Sequence, residues 1–340
     1  MKTYLVTGGS GFLGSALVRR LILAGHRVRV FDNNSRGNLR RLAGLERDFD
    51  FIQGDVRNPE DVDKATQGVD SVCHLAFVNG TEFFYSSPEL VLEVGLKGML
   101  NVVDACLKHN VPELILASSS EVYQEAAMVP TDESVPLSIP DPKNARYSYG
   151  ACKLISEVIA LNYGRKRFQR VVIFRPHNVY GPDMGWEHVI PQFVLRMKRV
   201  SQQTDNPVRF PIQGTGKQTR AFVFIDDFTD GLMLTIEKGE HLGIYHIGSM
   251  EEVTIEALAG MVGEYFHRDV AVIPSGPAVG APLRRCPDIH RLAALGFHLK
   301  YTLRQGLQIA AKWYDDNDHL APDQTVTAEE KSLRCDTVKS

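Results

Sequence analysis

Lys2-Thr3-Tyr4-Leu5-Val6-Thr7 is a short run of β-prone residues that stops at Gly8-Gly9-Ser10-Gly11, and from Phe12 a helical pattern runs to Leu23. The stretch predicts a strand, a glycine turn and a helix start. Three of its glycines are spaced at positions 8, 11 and 14, so backbone can approach a ligand where the first N–H groups and the dipole of the new helix point outward. An anion of the size of a diphosphate suits that place. A second apolar run, Arg27-Val28-Arg29-Val30-Phe31, ends at Asp32, about twenty residues after the glycines, where a carboxylate can accept both ribose hydroxyls of an adenosine. Asp32 would also repel a 2′-phosphate, which favours NAD over NADP, with Arg36 nearby as a counterweight.

Working outward, strand-like runs at 49–53, 71–76, 114–117 and 170–174 alternate with helical patterns at 36–45, 59–67, 88–109 and 147–165. This alternation predicts an α/β fold, a Rossmann-type doubly wound parallel sheet with ligands at the carboxyl ends of its strands. The polar or glycine-bearing segments Gly54-Asp55-Val56, His74-Leu75-Ala76, Ser118-Ser119-Ser120-Glu121 and Arg175-Pro176-His177-Asn178 all fall at such ends. After Pro176 the texture changes to Pro/Gly-rich loops around a helix at 190–200. The pattern returns to the sheet at 221–225 and 244–247, and 255–266, 274–287 and 303–315 complete a smaller C-terminal lobe. The expected division is 1–175 with 220–248 for the dinucleotide, 176–219 with 249–320 for a substrate, and a polar, mobile tail at 321–340.

The 340 residues are 44% hydrophobic and 23% charged with a formal net charge of −3, an ordinary globular composition that gives no electrostatic case for nucleic acid or an anionic membrane. No apolar run approaches the roughly 20 residues of a membrane span, and the chain enters a strand at once, so neither a signal peptide nor a membrane partner is expected and the location reads as cytoplasmic. Cys73, Cys106, Cys152, Cys286 and Cys335 form no CxxC pair, and His74, His177 and His188 lack ligand spacing. A disulfide framework and a metal site are therefore not expected.

Tyr149 and Lys153 are four apart in a predicted helix, which puts phenol and ammonium on one face. A neighbouring cation favours the phenolate, so Tyr149 could take the proton of an alcohol being oxidised.

The set Gly8 to Gly14, Asp32, Gly54-Asp55-Val56, His74-Leu75-Ala76, Ser118 to Tyr123, Tyr149 to Lys153 and Arg175 to Pro182 resembles the extended short-chain dehydrogenase/reductases, and within them the NAD-dependent nucleotide-sugar epimerase/dehydratase group. The likeness runs from Met1 to about Tyr314. It implies oxidation of a sugar, usually at C4, to a ketone beside NADH. By resemblance, Gly8, Gly11, Phe12, Leu13 and Gly14 would hold the NAD diphosphate, Asp32 the ribose, and Asp55 and Val56 the adenine, with Leu75, Ala76, Pro176 and His177 further along the cofactor. Tyr149 would be the base, Lys153 would bind the nicotinamide ribose, and Ser119 would bond the reacting oxygen, with the register among Ser118, Ser119 and Ser120 open. Ser120, Asn178, Arg220 and Arg284 or Arg285 would meet the substrate, a UDP-, GDP-, dTDP- or CDP-linked sugar. A homodimer through the helices at 88–109 and 147–165 is also implied.

Two departures from the group stand out. Gly95 replaces an asparagine that backs the lysine, and Ser120 replaces the acidic residue of dTDP-glucose-type dehydratases. Glu121 matches a glutamate that acts at C5 in dehydratases and occurs in UDP-glucuronate decarboxylases. The leading expectation is an epimerase working through a 4-keto sugar. A 4,6-dehydratase or a decarboxylase using Glu121 is the alternative, and a non-catalytic binding protein is the remaining one.

Overall fold

A computed structural model of the chain describes residues 1–202, 206–276 and 282–322. Strands β1 (Thr3–Thr7), β2 (Arg27–Asp32), β3 (Phe49–Gln53), β4 (Ser71–His74), β5 (Glu113–Ala117) and β6 (Arg170–Pro176) follow the sequence pattern closely. Shorter strands come after them, β7 (Val179–Tyr180), β8 (Val208–Ile212), β9 (Thr219–Ala221) and β10 (Val223–Phe224), then β11 (Gly243–Ile247), β12 (Glu252–Thr254), β13 (Val270–Pro274) and β14 (Arg284–Arg285). Seven strands form one all-parallel sheet in the order β11-β6-β5-β4-β1-β2-β3. The order reverses between β1 and β4. The crevice at that switch point is where a doubly wound sheet binds its ligand.

Both faces of the sheet are covered, and for that reason its strands read as continuous apolar runs. Tyr4, Val6, Val28 and Val30 face one core with Leu17, Val18 and Leu21 of the helix Phe12–Leu23 and Phe228 and Leu232 of the helix Ile225–Lys238. Leu5, Phe31, Val72 and Leu114 face the other core, with Val62 of the helix Pro59–Thr66 and Val102 and Cys106 of the helix Gly98–Lys108. The first core continues without a break into the C-terminal elements, through Phe193 and Met197 of Val189–Val200, Phe210 of β8, Leu258 of Ile255–Tyr265, and Leu307 and Tyr314 of Leu303–Asp316.

The structure departs from the sequence pattern in three places that bear on the site. The helix expected over 36–45 is a single 3-10 turn, Leu39–Leu42, started by Asn38, whose side chain accepts the Arg40 N–H, and ended before Gly44 at φ +85°. The helix expected over 88–109 is broken into Pro88–Leu92 and Gly98–Lys108 by a π-turn, Glu93–Lys97, centred on Gly95. Of the two later stretches, only 243–247 pairs into the main sheet. Residues 219–221 pair instead with β12 and β14, and 223–224 pair with β7. Of the expected tail, the residues from 323 onward lie outside those described.

Candidate active site

The glycine turn sits between β1 and β4, and it is packed to its limit. Gly8 has φ +71°, and a Cβ there would lie 2.8 Å from the Cα of Ala76. At Gly14 a Cβ would lie 2.1 Å from the Gly8 carbonyl oxygen. The turn can therefore be made only where backbone meets backbone, which is the cradle a dinucleotide diphosphate requires. Thr7 Oγ1 accepts the N–H groups of Leu75 and Ala76 at 3.2 Å each and locks the two loops together. Phe12 and Leu13 anchor the helix start on the core.

Asp32 is buried and accepts the N–H groups of Ser10 at 3.1 Å and Asn34 at 2.8 Å, leaving further lone pairs on both oxygens. Asp55 is paired with Arg57 at 2.8 Å, and that hydrogen bond holds its carboxyl down at about 2; Val56 beside it is buried. Arg36, the candidate partner for a 2′-phosphate, is ion-paired with Glu187 and lies over the Phe83 ring at 4.8 Å. Arg40 and Arg41 likewise hold Asp183, at 2.6 and 3.2 Å. The unusual stretch 183–188 is thus tied to the loop after β2, with Trp186 against Tyr314 at 5.1 Å.

The helix Ser148–Arg167 carries Tyr149 and Lys153 one turn apart, both buried. Tyr149 lies edge to face with Phe77 at 4.9 Å and stacks on Phe84 at 5.0 Å. Burial raises its phenol well above the ordinary value, and a hydrogen bond with Ser119 opposes this. Lys153 Nζ donates to the Ala117 carbonyl at 2.7 Å, and burial lowers its ammonium to about 7. The lowering of the tyrosine expected from Lys153 is not found: loss of water from around both groups penalises each charged form. Ser119 also accepts the Glu121 N–H at 3.1 Å, and Ser120 is buried in the 3-10 turn Ser120–Val122.

Across the cleft, β14 lays Arg285 beside Arg220 of β9. Arg285 Nη1 donates to Glu121 Oε1 at 2.7 Å, while its Nη2 is buried without a partner. Burial pushes the Glu121 carboxyl up, but Arg285, Arg146 and Arg220 outweigh it and hold the group ionised below the usual carboxylate range. Arg220 answers in the other direction: burial and then Arg285 lower its guanidinium to about 10. Of the two arginines left open by sequence, Arg284 turns away to clasp Glu252 at 2.5 Å and is exposed. Asn178, at φ +41°, donates to the Ala221 carbonyl at 2.8 Å. His177 follows Pro176 at the end of β6. It is buried with neither ring nitrogen partnered, beside His246 at 4.6 Å between ring centroids.

Sequence reading missed the layer beneath. Glu157 accepts two bonds from Arg175, at 2.8 and 2.6 Å, and one from the Ser118 hydroxyl. Arg175 also meets the Tyr123 hydroxyl. His246 Nδ1–H donates to the Asp288 carbonyl at 3.0 Å, so its Nε2 is free to accept the Tyr123 O–H at 2.7 Å. The signal for Glu157 was present: it lies four residues after Lys153 and eight after Tyr149 on the same helical face. Cys73, Cys106, Cys152 and Cys286 are buried free thiols, and Cys335 lies outside the described residues. Among the described residues no helix is long and apolar enough to cross a membrane.

A glycine cradle at the switch point of a parallel sheet, facing a tyrosine–lysine pair at the same edge, defines a dinucleotide-dependent class of α/β protein. Residues 4–248 match the NAD dependent epimerase/dehydratase family, and the chain belongs to it. It is 32% identical over 312 residues to UDP-glucuronic acid decarboxylase 6 of Arabidopsis thaliana, covering 90% of this chain and 86% of that protein. Among solved structures, a dTDP-glucose 4,6-dehydratase of Streptomyces venezuelae with NAD bound superposes with a TM-score of 0.83 at 27% identity over 93% of this chain and 98% of that one. The UDP-glucose 4-epimerase of Thermus thermophilus in complex with NAD gives 0.80 at 26% identity over 93% and 99%. The relatives thus divide among decarboxylases, dehydratases and epimerases, and NAD is the cofactor of the family.

Proposed function

We propose that the chain oxidises C4 of a nucleoside-diphosphate sugar to a transient 4-keto sugar, and that its substrate is a uronate, which loses its carboxyl group as carbon dioxide. NAD, when bound, would supply the hydride acceptor for C4 and the hydride for the later reduction, and its positive charge would favour the Tyr149 phenolate. Gly8, Gly11 and Gly14 hold the diphosphate and Asp32 the ribose, with residues 1–175 and 220–248 as the cofactor side and 176–219 and 249–320 as the sugar side. Tyr149 takes the C4 hydroxyl proton while Ser119 bonds the same oxygen. A 4-keto uronate is a β-keto acid, so the C5–C6 bond breaks and carbon dioxide leaves without a further base; the electron pair is held as the enolate at C4 until a proton from solvent at C5 restores the ketone.

The observation that carries the choice of substrate is the ionised Glu121 among Arg285, Arg146 and Arg220. The Glu121 carboxylate that a dehydratase would use as base at C5 is engaged by Arg285 at 2.7 Å, and a carboxyl held below the usual range is the weaker base. An arginine set of this kind suits a substrate with a carboxylate beyond its diphosphate. The 32% identity to a UDP-glucuronic acid decarboxylase agrees. The second reading is 4-epimerisation, favoured by the likeness to UDP-glucose 4-epimerase, since Tyr149, Ser119 and Lys153 suffice for it. A homodimer fits the exposed Leu92, Leu100, Ile155, Val158 and Tyr163 on the helices before and after β5.

The test is to incubate the protein with UDP-, GDP-, dTDP- and CDP-sugars, neutral and uronate, and to weigh the products. Loss of carbon dioxide from a uronate is expected. Unchanged mass with altered stereochemistry would replace the proposal by the epimerase, and loss of water by the dehydratase.

A further inference from the structure

Lys153 carries its ammonium at 4% exposure, and the Ala117 carbonyl takes one of its three protons. Glu157, the nearby carboxylate on its own helix, is already engaged by Arg175 and Ser118. What lies against the ammonium instead is a ring: Nζ is 4.1 Å from the centroid of Phe77. The face of a benzene ring is the negative part of its quadrupole, and its attraction for a cation is largest where water is excluded. The same ring meets Tyr149 edge to face at 4.9 Å, so one side chain touches both partners of the proton-transfer pair.

Phe77 can occupy this position because Gly95 has no side chain. A Cβ on Gly95 would lie 2.7 Å from Phe77 Cζ and 2.8 Å from Cys152 Cβ. The π-turn Glu93–Lys97 brings that bare backbone against the ring. Loop after β4, helix break and Lys153 are therefore one packed unit.

We propose that Phe77 is a positioning residue for Lys153, its ring admitted by Gly95 and its face holding the ammonium in register with Tyr149. The proposal rests on the reading of Tyr149 and Lys153 as the reacting pair. It adds a contact that the glycine turn and the arginine corner do not supply.

The test uses the protein as purified, labelled with 13C at the lysine Cε positions, with Lys153→Arg identifying the Lys153 signal. Ring current from Phe77 is expected to move the Lys153 Hε resonance upfield of the other lysines. The shift persists in Phe77→Tyr, which keeps the ring face, and disappears in Phe77→Leu with circular dichroism unchanged. Gly95→Ala, which pushes on the ring from behind, should reduce it. In turnover, Phe77→Leu is expected to lower kcat roughly tenfold with KM within about twofold, and Phe77→Tyr to restore most of kcat. A wild-type Lys153 signal at the ordinary lysine position, or a shift that survives Phe77→Leu, overturns the proposal. The resonance requires no sugar nucleotide, so an error in the substrate leaves that arm of the test standing.

Discussion

The glycine turn and the arginine corner lie at the same edge of the sheet, and they are made in opposite ways. The turn is local: residues 8 to 14 build it from close backbone contacts, and its tolerance for a side chain is nil at Gly14, where a Cβ would lie 2.1 Å from the Gly8 oxygen. The corner joins Glu121 to a guanidinium 164 residues away through a two-residue strand. It is made of charged side chains, Arg285 pairing with Glu121 at 2.7 Å, and under the proposal that pairing is exchanged for a ligand. A cofactor cradle held by close backbone contact leaves little room to vary, whereas a corner assembled from side chains can be re-specified by single substitutions.

Substitutions at the two regions and between them should behave accordingly. Tyr149→Phe, which removes the proposed proton acceptor, should lower kcat by roughly 10²- to 10⁴-fold while NAD binding, measured by calorimetry, changes by no more than about twofold. A large loss of NAD affinity would mean that the two regions are not separable. Glu157→Gln, in the layer beneath, leaves Arg175 buried and under-compensated at 2% exposure. It should cost about 3–5 kcal/mol in urea unfolding; a cost under about 1 kcal/mol would show that the pair is not what supports the Ser118–Ser120 loop. Gly14→Ala should cost about 1–3 kcal/mol by overpacking and weaken NAD roughly tenfold, with the arginine corner unaffected. Retained NAD affinity would break the account of the cradle.

A further effect is in pH. Burial lowers His74 to about 3 and His246 to about 4, and pushes His177 well below its ordinary value. Below about 6.5 the unfolded chain binds protons that the folded chain refuses, so stability is lost as pH falls from there toward about 4. Each group adds up to about 1.4 kcal/mol per pH unit. Urea midpoints between pH 7 and pH 5 would show the slope, and His246→Gln should reduce it by about one proton.

How far the sequence could be read follows the same division. The turn from strand period to helix period at Gly8–Gly14 predicted β1 and the helix that begins at Phe12, and the alternation of strand-like and helical runs predicted a parallel, doubly wound sheet. Both signals are local, and local packing is all they need. The break at Gly95 could not be read, because its cause is Phe77 and Cys152 arriving from other segments. Nor could the choice between Arg284 and Arg285, which alternate across a strand whose pairing with β9 is set by tertiary structure. Tyr149 and Lys153 were visible as a pair, but the sign of their pKa shifts depends on burial, which spacing does not report.

The central claim is that the corner around Glu121 and Arg285 receives a carboxylate. It is tested most directly by calorimetry on the Tyr149→Phe protein, comparing a uronate with the neutral hexose on the same nucleoside diphosphate, for each of the four nucleosides. The account predicts that with the nucleoside the protein accepts, the uronate binds at least about tenfold more tightly, and that Arg285→Gln removes the difference. Equal affinity for uronate and hexose would contradict it.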